Sequence, residues 1–275
     1  MHDNVSPLIT NLKMCFMKKL FISFVALATL AVGMVSCNSK NGSYQIVVEP
    51  QGADAFICMP SDAVVSWNNT MVPEELAVSC EQNAGKSYLQ IPEELKTDGV
   101  RRFLYPVAAY AGEGKVSIPT LLNTGDYRQV MPVYAELVEG SDSLNFVWLC
   151  GVVCVHLTTG ERLSSVSIST DDSLNYLSGL FAVNNYPNPE LVVADGVGGE
   201  KSVRCENLSE MDFSQGGDVY FYVAPGVYHT FTVTMTAADG RVCVKSQKED
   251  MVVEVNRNNV TTIMAGSADH KLVFE

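Results

Sequence analysis

Cysteine is the side chain with the richest chemistry in this sequence, which contains eight of them. Those that follow the N-terminal segment could form several disulfide connectivities in an oxidising compartment: Cys58, Cys80, Cys150, Cys154, Cys205 and Cys243. Cys150 and Cys154 cannot bridge each other if they share one strand, because four residues of strand span about 13 Å and a disulfide tolerates about 7 Å. Free, buried thiols that pack as small apolar side chains are the favoured interpretation, and the disulfide state of these residues stays open.

Metal ligands are not predicted from the spacing of the histidines and acids. The four histidines stand far apart in the sequence: His2, His156, His229 and His270. None has a second ligand at the spacing of a zinc site. Asp171–Asp172 and the stretch 195–200 lack the dense acidic spacing of a calcium loop. We therefore predict no metal and no cofactor.

Catalytic motifs are also missing from the sequence. The stretch Asn83–Ser87 resembles the end of a phosphate-binding loop, but Cys80 stands where that motif needs glycine, and a strand pattern follows where it needs a helix. Neither Gly-x-Ser-x-Gly nor His-Glu-x-x-His occurs. The sequence thus predicts a protein that is not an enzyme, and a hydrolase is the least favoured alternative.

Composition limits the possible partners. The chain has 275 residues, 47% of them apolar and 18% charged, and a net charge of −13. An apolar share of this size predicts a folded chain with a sizeable core. An acidic chain has no electrostatic attraction for phosphate backbones, so nucleic acid is excluded as a partner.

The N-terminal segment has the pattern of a secretion signal. Lys18 and Lys19 precede an uncharged apolar run over residues 20–35, and a polar stretch follows Cys37. The run 34–37 resembles a bacterial lipobox, with Met34 in place of the usual leucine, and this resemblance implies that Cys37 is acylated, for example with palmitate. We predict a signal peptide over residues 1–36, of which 1–16 are an over-long start; a retained signal anchor is the alternative.

The remaining chain shows the period of β-strands. In 230–236 Thr alternates with Phe231, Val233 and Met235, and the Asp239–Gly240 turn after it is typical of a hairpin. Single helical turns are predicted at 73–76 and 92–95, and no longer stretch has a helical period. Strands are predicted at 44–48, 63–67, 76–80, 88–91, 103–110, 115–118, 130–137, 146–157, 218–223, 230–236, 241–245, 251–255 and 259–264. Many short strands separated by turns indicate an all-β sandwich or barrel.

A linker-like stretch divides the predicted strands into two groups. Gly140, Ser141, Asp142 and Ser143 follow Glu139 without an apolar residue. We therefore predict two domains after the signal peptide, at residues 37–140 and 141–275.

Several segments together resemble the fimbrillin-like (type V pilus) surface lipoproteins of gut and oral anaerobic bacteria. They are the stretches 103–106, 127–135, 144–153, 177–181, 223–228 and 256–262. The resemblance implies two consecutive Greek-key, transthyretin-like β-sandwich domains. It also implies lipid anchoring in the outer membrane through Cys37, display on the cell surface or in a fimbrium, and a role in pilus assembly or adhesion to host or bacterial surface ligands. In this family a polymerising subunit loses its first strand to a protease, often arginine-specific, and pairs with a donor strand of another subunit.

The distribution of arginine departs from that scheme. No arginine lies between Cys37 and Arg101. A tip, an anchor or a free-standing adhesin is therefore favoured over a shaft subunit.

Two short motifs resemble the O-glycosylation signal of the same bacteria. Each has the form Asp-Ser-Leu, and the acceptors would be Ser143 and Ser173. Ordinary turn residues are the alternative interpretation.

A glycan-binding surface lipoprotein of a polysaccharide-uptake system is the alternative function. Such a module needs an exposed aromatic platform, for which Trp67, Tyr110 and Tyr186 are candidates. Against this, Trp67 and Trp148 each stand singly in predicted strands, where tryptophan is usually part of the core.

Overall fold

Strands make up nearly all regular structure in the part of the chain that the computed structural model describes. That part comprises residues 43–48, 63–68, 72–81, 86–91, 99–123, 131–137, 141, 143–194, 198–248, 251–266 and 272–275. In chain order the strands are β1 Ser43–Val48, β2 Ala63–Trp67, β3 Glu74–Glu81, β4 Lys86–Gln90, β5 Arg101–Tyr105, β6 Lys115–Ile118, β7 Leu121–Asn123, β8 Val133–Leu137, β9 Ser143–Trp148, β10 Gly151–Leu157, β11 Leu163–Ser169, β12 Gly179–Asn184, β13 Glu190–Val193, β14 Ser202–Glu206, β15 Gly217–Val223, β16 Gly226–Tyr228, β17 Thr232–Ala237, β18 Val242–Ser246, β19 Val253–Val255 and β20 Val260–Met264. A single 3-10 turn, Val107–Ala109, is the helical element of the described ranges.

The first group of strands closes into a barrel in the order β1–β4–β3–β2–β5–β8–β9. Neighbouring strands are antiparallel except for β1 and β9, which run parallel and close the ring. The closure leaves no strand of this group at a free sheet edge.

The second group forms two larger sheets whose apolar faces meet. One sheet has the order β18–β17–β11–β14–β7 and the other the order β15–β10–β20. In β17 the side chains of Val233, Met235 and Ala237 are buried, and the threonines between them are partly exposed. Val153, Val155 and Leu157 of β10 belong to the same hydrophobic core as that face. The two sheets therefore form a sandwich, and two small sheets, β13–β12–β6 and β16–β19, complete the fold.

Turns fall where the sequence predicts them. Gly240 lies between β17 and β18 with φ of 92°, a conformation that glycine adopts without a steric penalty. Asn258, between β19 and β20, has φ of 60°, which asparagine tolerates better than most residues.

The structure corrects parts of the strand prediction. The helical turn predicted at 73–76 is wrong, because β3 begins at Glu74 and its residues 74–77 pair with β2. The turn predicted at 92–95 lies outside the described residues. The single strand predicted at 146–157 is two strands, interrupted at Leu149 and Cys150, whose backbone groups bond to Pro132 and Asn258. The strands between 163 and 206 were not predicted.

The all-β prediction is confirmed, with two sheets packed on one core, while the Greek-key, transthyretin-like topology stays a prediction. All described residues belong to one compact unit. The division at residue 140 also stays a prediction. Four strand pairs join the two sides of that position: β1–β9, β8–β9, β6–β12 and β7–β14. In the described ranges no helix is both long and apolar enough to cross a membrane.

Candidate functional site

A cluster of chemically active side chains lies on neighbouring strands β10 and β15. Antiparallel pairing places His156 opposite Asp218 and Cys154 opposite Tyr220, so that all four share one face of the sheet. His156 Nδ1 lies 2.6 Å from Asp218 Oδ1, and the Tyr220 hydroxyl donates to Asp218 Oδ2 at 3.3 Å. The His156 hydrogen bond is the main reason that the pKa of Asp218 is held below its ordinary value.

This cluster does not fit nucleophilic catalysis. Burial, and then the charge of Asp218, raise the pKa of the Cys154 thiol to about 11. A reactive cysteine needs a lowered pKa, because the thiolate is the nucleophile. Within the described ranges, no three His, Cys, Asp or Glu side chains are arranged to hold a metal ion. The cluster therefore acts as a polar link between two strands.

The cysteines that the structure describes are buried and free. They are Cys150, Cys154, Cys205 and Cys243, in agreement with the interpretation as small apolar side chains. Burial raises the pKa of Cys205 to about 11 and also raises that of Cys150. Cys58 lies outside the described residues, and Cys80 is described only as part of β3.

The first arginine after Cys37 is part of the barrel wall. Arg101 begins β5, and its side chain is 7% exposed. Its Nε donates to Ser66 Oγ at 2.6 Å and its guanidinium contacts Glu74 Oε2 at 2.8 Å, so one side chain ties β5 to β2 and β3. Arg102 follows in the same strand, which pairs with β2 on one side and β8 on the other. Both arginines thus lie within a strand that has neighbours on both edges.

The first strand of the barrel lies close behind the predicted lipid site. β1 begins at Ser43 and pairs with β4 from Ser43↔Gln90 to Ile46↔Ser87. On its other edge it pairs with β9 from Gln45↔Ser143 to Val48↔Phe146. Because both edges of β1 carry main-chain pairing, its removal would expose two unpaired edges, on β4 and on β9.

The predicted modification sites differ in their surroundings. Cys37 lies outside the described residues. Ser143 is the first residue of β9 and takes part in the pairing with β1. Ser173 is exposed in a bend between β11 and β12. Asp172 fixes this bend by accepting hydrogen bonds from His229 N at 2.7 Å and Thr230 Oγ1 at 3.4 Å.

The candidate sugar platform is a packed cluster. The Trp67 ring lies 5.0 Å from that of Tyr110 and 6.2 Å from that of Tyr134, whose ring lies 6.2 Å from that of Tyr186. Trp67 is 1% exposed and Trp148 is 3% exposed, as expected for core residues. A sugar cannot stack on rings that protein atoms already cover, so neither tryptophan offers the exposed face that the glycan-binding alternative requires.

The sequence alone does not indicate the two side-chain pairs His156–Asp218 and Arg101–Glu74. His156 and Asp218 are 62 residues apart, and Arg101 is 27 residues from Glu74. Both pairs depend on strand register, which single-sequence patterns do not give.

Solved structures similar to this chain come mainly from Bacteroides. A proposed cell adhesion protein of Bacteroides uniformis ATCC 8492 is 13% identical, with a TM-score of 0.48, over 86% of this chain and 98% of the other. A proposed cell adhesion protein of Bacteroides ovatus ATCC 8483 is 12% identical, with a TM-score of 0.46, over 84% of this chain and 94% of the other.

A further similar structure is a tip fimbrial protein of Porphyromonas gingivalis with a C-terminal truncation. It is 11% identical, with a TM-score of 0.34, over 85% of this chain and 98% of the other. No protein-family model and no curated protein matches this sequence. The chain is thus similar, at low identity and over most of its length, to solved proteins described as cell adhesion or fimbrial proteins.

Proposed function

We propose that this chain is a non-enzymatic, fimbrillin-like cell-surface lipoprotein that acts in pilus assembly or adhesion. Within that role we favour a tip, an anchor or a free-standing adhesin over a shaft subunit. The observation that carries the proposal is strand β1, which is paired on both edges directly downstream of the predicted lipid site.

The position of arginine supports a retained first strand. An arginine-specific protease would need a site between β1 and the rest of the barrel, and the sequence has no arginine between Cys37 and Arg101. Arg101 itself lies in β5, and its guanidinium is engaged by Ser66 and Glu74. Cleavage there would require the barrel to open first, so β1 stays in place in the exported protein.

Lipid attachment at Cys37 supplies the membrane partner in this proposal. A diacyl-type anchor plus an N-terminal acyl chain gives stable binding, since one chain alone binds a bilayer only reversibly. We expect Cys37→Ala to move the protein from the outer-membrane fraction to the soluble fraction and to abolish incorporation of labelled palmitate. Cys15→Ala is the matched control, because Cys15 lies within the predicted signal peptide. Retention of Cys37→Ala in the membrane, or equal loss of labelling in both variants, would contradict the anchor.

Surface location and position in a fimbrium are tested by labelling. Immunogold on intact, unpermeabilised cells that carry the full chain is expected at fimbrial tips, at fimbrial bases or on the bare cell surface. Regular labelling along fimbrial shafts would refute the favoured position, and labelling that appears only after permeabilisation would refute surface display.

Glycosylation at Ser173 is part of the same proposal. The Ser173 side chain is exposed, and Leu174 beside it is 86% exposed, so the Asp-Ser-Leu motif is accessible to a transferase. Ser143 is the less favoured acceptor, because it lies at the start of a strand that pairs on both edges. Mass spectrometry of the native protein should show a glycan that Ser173→Ala removes and Ser143→Ala leaves. A native peptide 172–174 without glycan would contradict this proposal.

A further inference from the structure

A cleft of about 430 Å³ opens between the edge strands β18 and β20 of the two larger sheets. One wall is formed by the start of β17 and the end of β18, and the other is formed by β20. Gln247, Lys248, Met251 and Val252, which lie between β18 and β19, also line the cleft. Its floor is the buried core, where Phe231 is 3% exposed, Val233 is 2% exposed and Ala265 is 5% exposed. This volume lies in the range of about 300–1,000 Å³ that is usual for pockets holding small molecules.

A positive charge stands at the mouth of this apolar cleft. Lys245 pairs with Val233 across the sheet, so its side chain leaves the sheet on the same face as that buried valine. No carboxylate partner of Lys245 is found among the described residues. An ammonium group beside an apolar floor favours an anionic ligand with an apolar body.

An unpartnered acceptor lies next to that cation. Gln247 follows Lys245 by two residues, and its backbone N–H donates to Phe231 O at 2.7 Å. Its Nε2 donates to Met251 O, which fixes the orientation of the amide. Gln247 Oε1 is buried and accepts no hydrogen bond. A buried acceptor without a donor is costly, so a ligand that brings a hydroxyl would be favoured at this point.

We propose that this cleft binds a small amphiphilic carboxylate, of the class of medium-chain hydroxy fatty acids. The carboxylate pairs with Lys245, the hydroxyl donates to Gln247 Oε1, and the alkyl chain covers the apolar floor between β17 and β20. The site is independent of the lipid anchor and of the fimbrial role, so either proposal can fail without the other.

Titration of the purified mature chain with 3-hydroxydodecanoate and dodecanoate, below their micelle concentrations, tests this site by calorimetry. We expect one molecule bound per chain, with the hydroxylated acid the tighter ligand. Lys245→Gln should weaken binding about tenfold, the equivalent of about 1.4 kcal/mol, whereas Lys245→Arg should retain most of the affinity. Lys115→Gln is the matched control, because it removes the same charge at a lysine that pairs with Glu113 outside the cleft.

Three results would overturn the proposal. The first is the absence of saturable binding by the parent chain. The second is equal affinity in Lys245→Gln and Lys115→Gln, with both variants folded as judged by unchanged Tm. The third is a higher, Lys245-dependent affinity for a peptide with acidic and apolar residues than for the fatty acids, which would assign the cleft to a protein segment. Lys248 also lines the cleft, but it adjoins Glu249 and Asp250, which lie outside the described residues. The substitution is therefore made at Lys245.

Discussion

Resistance of Arg101 to proteolysis follows from its place in the barrel. β5 pairs with β2 and β8, and Phe103, Leu104 and Tyr105 within it are at most 3% exposed. A protease must bind several extended residues around the cleaved bond, so β5 has to leave both neighbours before cleavage. The same bonds lose this protection when the chain is unfolded, so the unfolded chain is the reference for the cleavage rate.

The degree of protection from proteolysis follows from the free energy needed to open β5. Strands in a core open with free energies that approach global stability, which is about 5–15 kcal/mol for folded domains. Taking only about 4 kcal/mol for β5, the open form has a population of about one in a thousand. When opening is fast relative to cleavage, the cleavage rate follows that population. Cleavage after Arg101 or Arg102 should therefore be at least about a thousandfold slower in the native chain than in the unfolded chain.

A time course with an arginine-specific endoprotease measures both rates. Peptides that end at 101 and 102 are quantified by mass spectrometry, first in the native chain and then in denaturant, and a short arginine peptide reports the activity of the protease in each condition. We expect cleavage at both bonds to be at least about a thousandfold faster in the unfolded chain. Native cleavage at Arg101 or Arg102 within about tenfold of the rate in the unfolded chain would refute the argument that the barrel protects β1 from release.

Three further predictions concern stability. A Cβ at Gly151 would clash with Asn256 O, whereas one at Gly160 meets no atom within 4 Å. Chemical denaturation should show a loss of about 1–3 kcal/mol for Gly151→Ala and little change for Gly160→Ala, and equal effects would contradict this packing. The Tyr228 hydroxyl is buried and donates to Ala224 O at 2.6 Å. In the same assay Tyr228→Phe should lower the free energy of unfolding by about 1–3 kcal/mol, and a neutral result would mean that water replaces the hydrogen bond. The folded-state pKa of Asp218 is lowered, mainly by the hydrogen bond from His156. The contribution of Asp218 to folding stability is therefore present above about pH 4 and is lost as the pH falls through the lowered pKa. Thermal unfolding of Asp218→Asn should show a smaller fall in Tm below about pH 4 than the parent chain, and parallel curves would exclude this linkage.

Local alternation explains which strands the sequence predicts well. In β17 polar and apolar residues alternate without interruption, and the burial of Val233, Met235 and Ala237 follows that alternation. β11 also alternates, but a bulge between Leu163 and Ser165 breaks the period, and four of its seven residues are serine. A sequence of this composition is typical of a loop, and it forms a strand because β14 and β17 pair with it.

Long-range pairing explains what the sequence leaves open. Pro73, Glu74 and Glu75 have the order of a helix start, yet Glu74 and Glu75 belong to a sheet because they pair with β2. The parallel pairs β1–β9, β7–β14 and β10–β20 join segments far apart in the chain. The His156–Asp218 link depends on the antiparallel register of β10 with β15, and the position of Lys245 depends on that of β17 with β18. No local motif could have indicated either of them.

The intact mass of the protein taken from its native outer membrane tests the central claim most directly. We predict a mass that corresponds to residues 37–275 plus acyl chains, with any glycan removed enzymatically beforehand. This result means that β1 is retained behind a lipid anchor, as expected of a tip, an anchor or a free-standing adhesin. A mass without lipid that begins beyond β1 would contradict the account, because it would identify a polymerising subunit whose first strand has been removed.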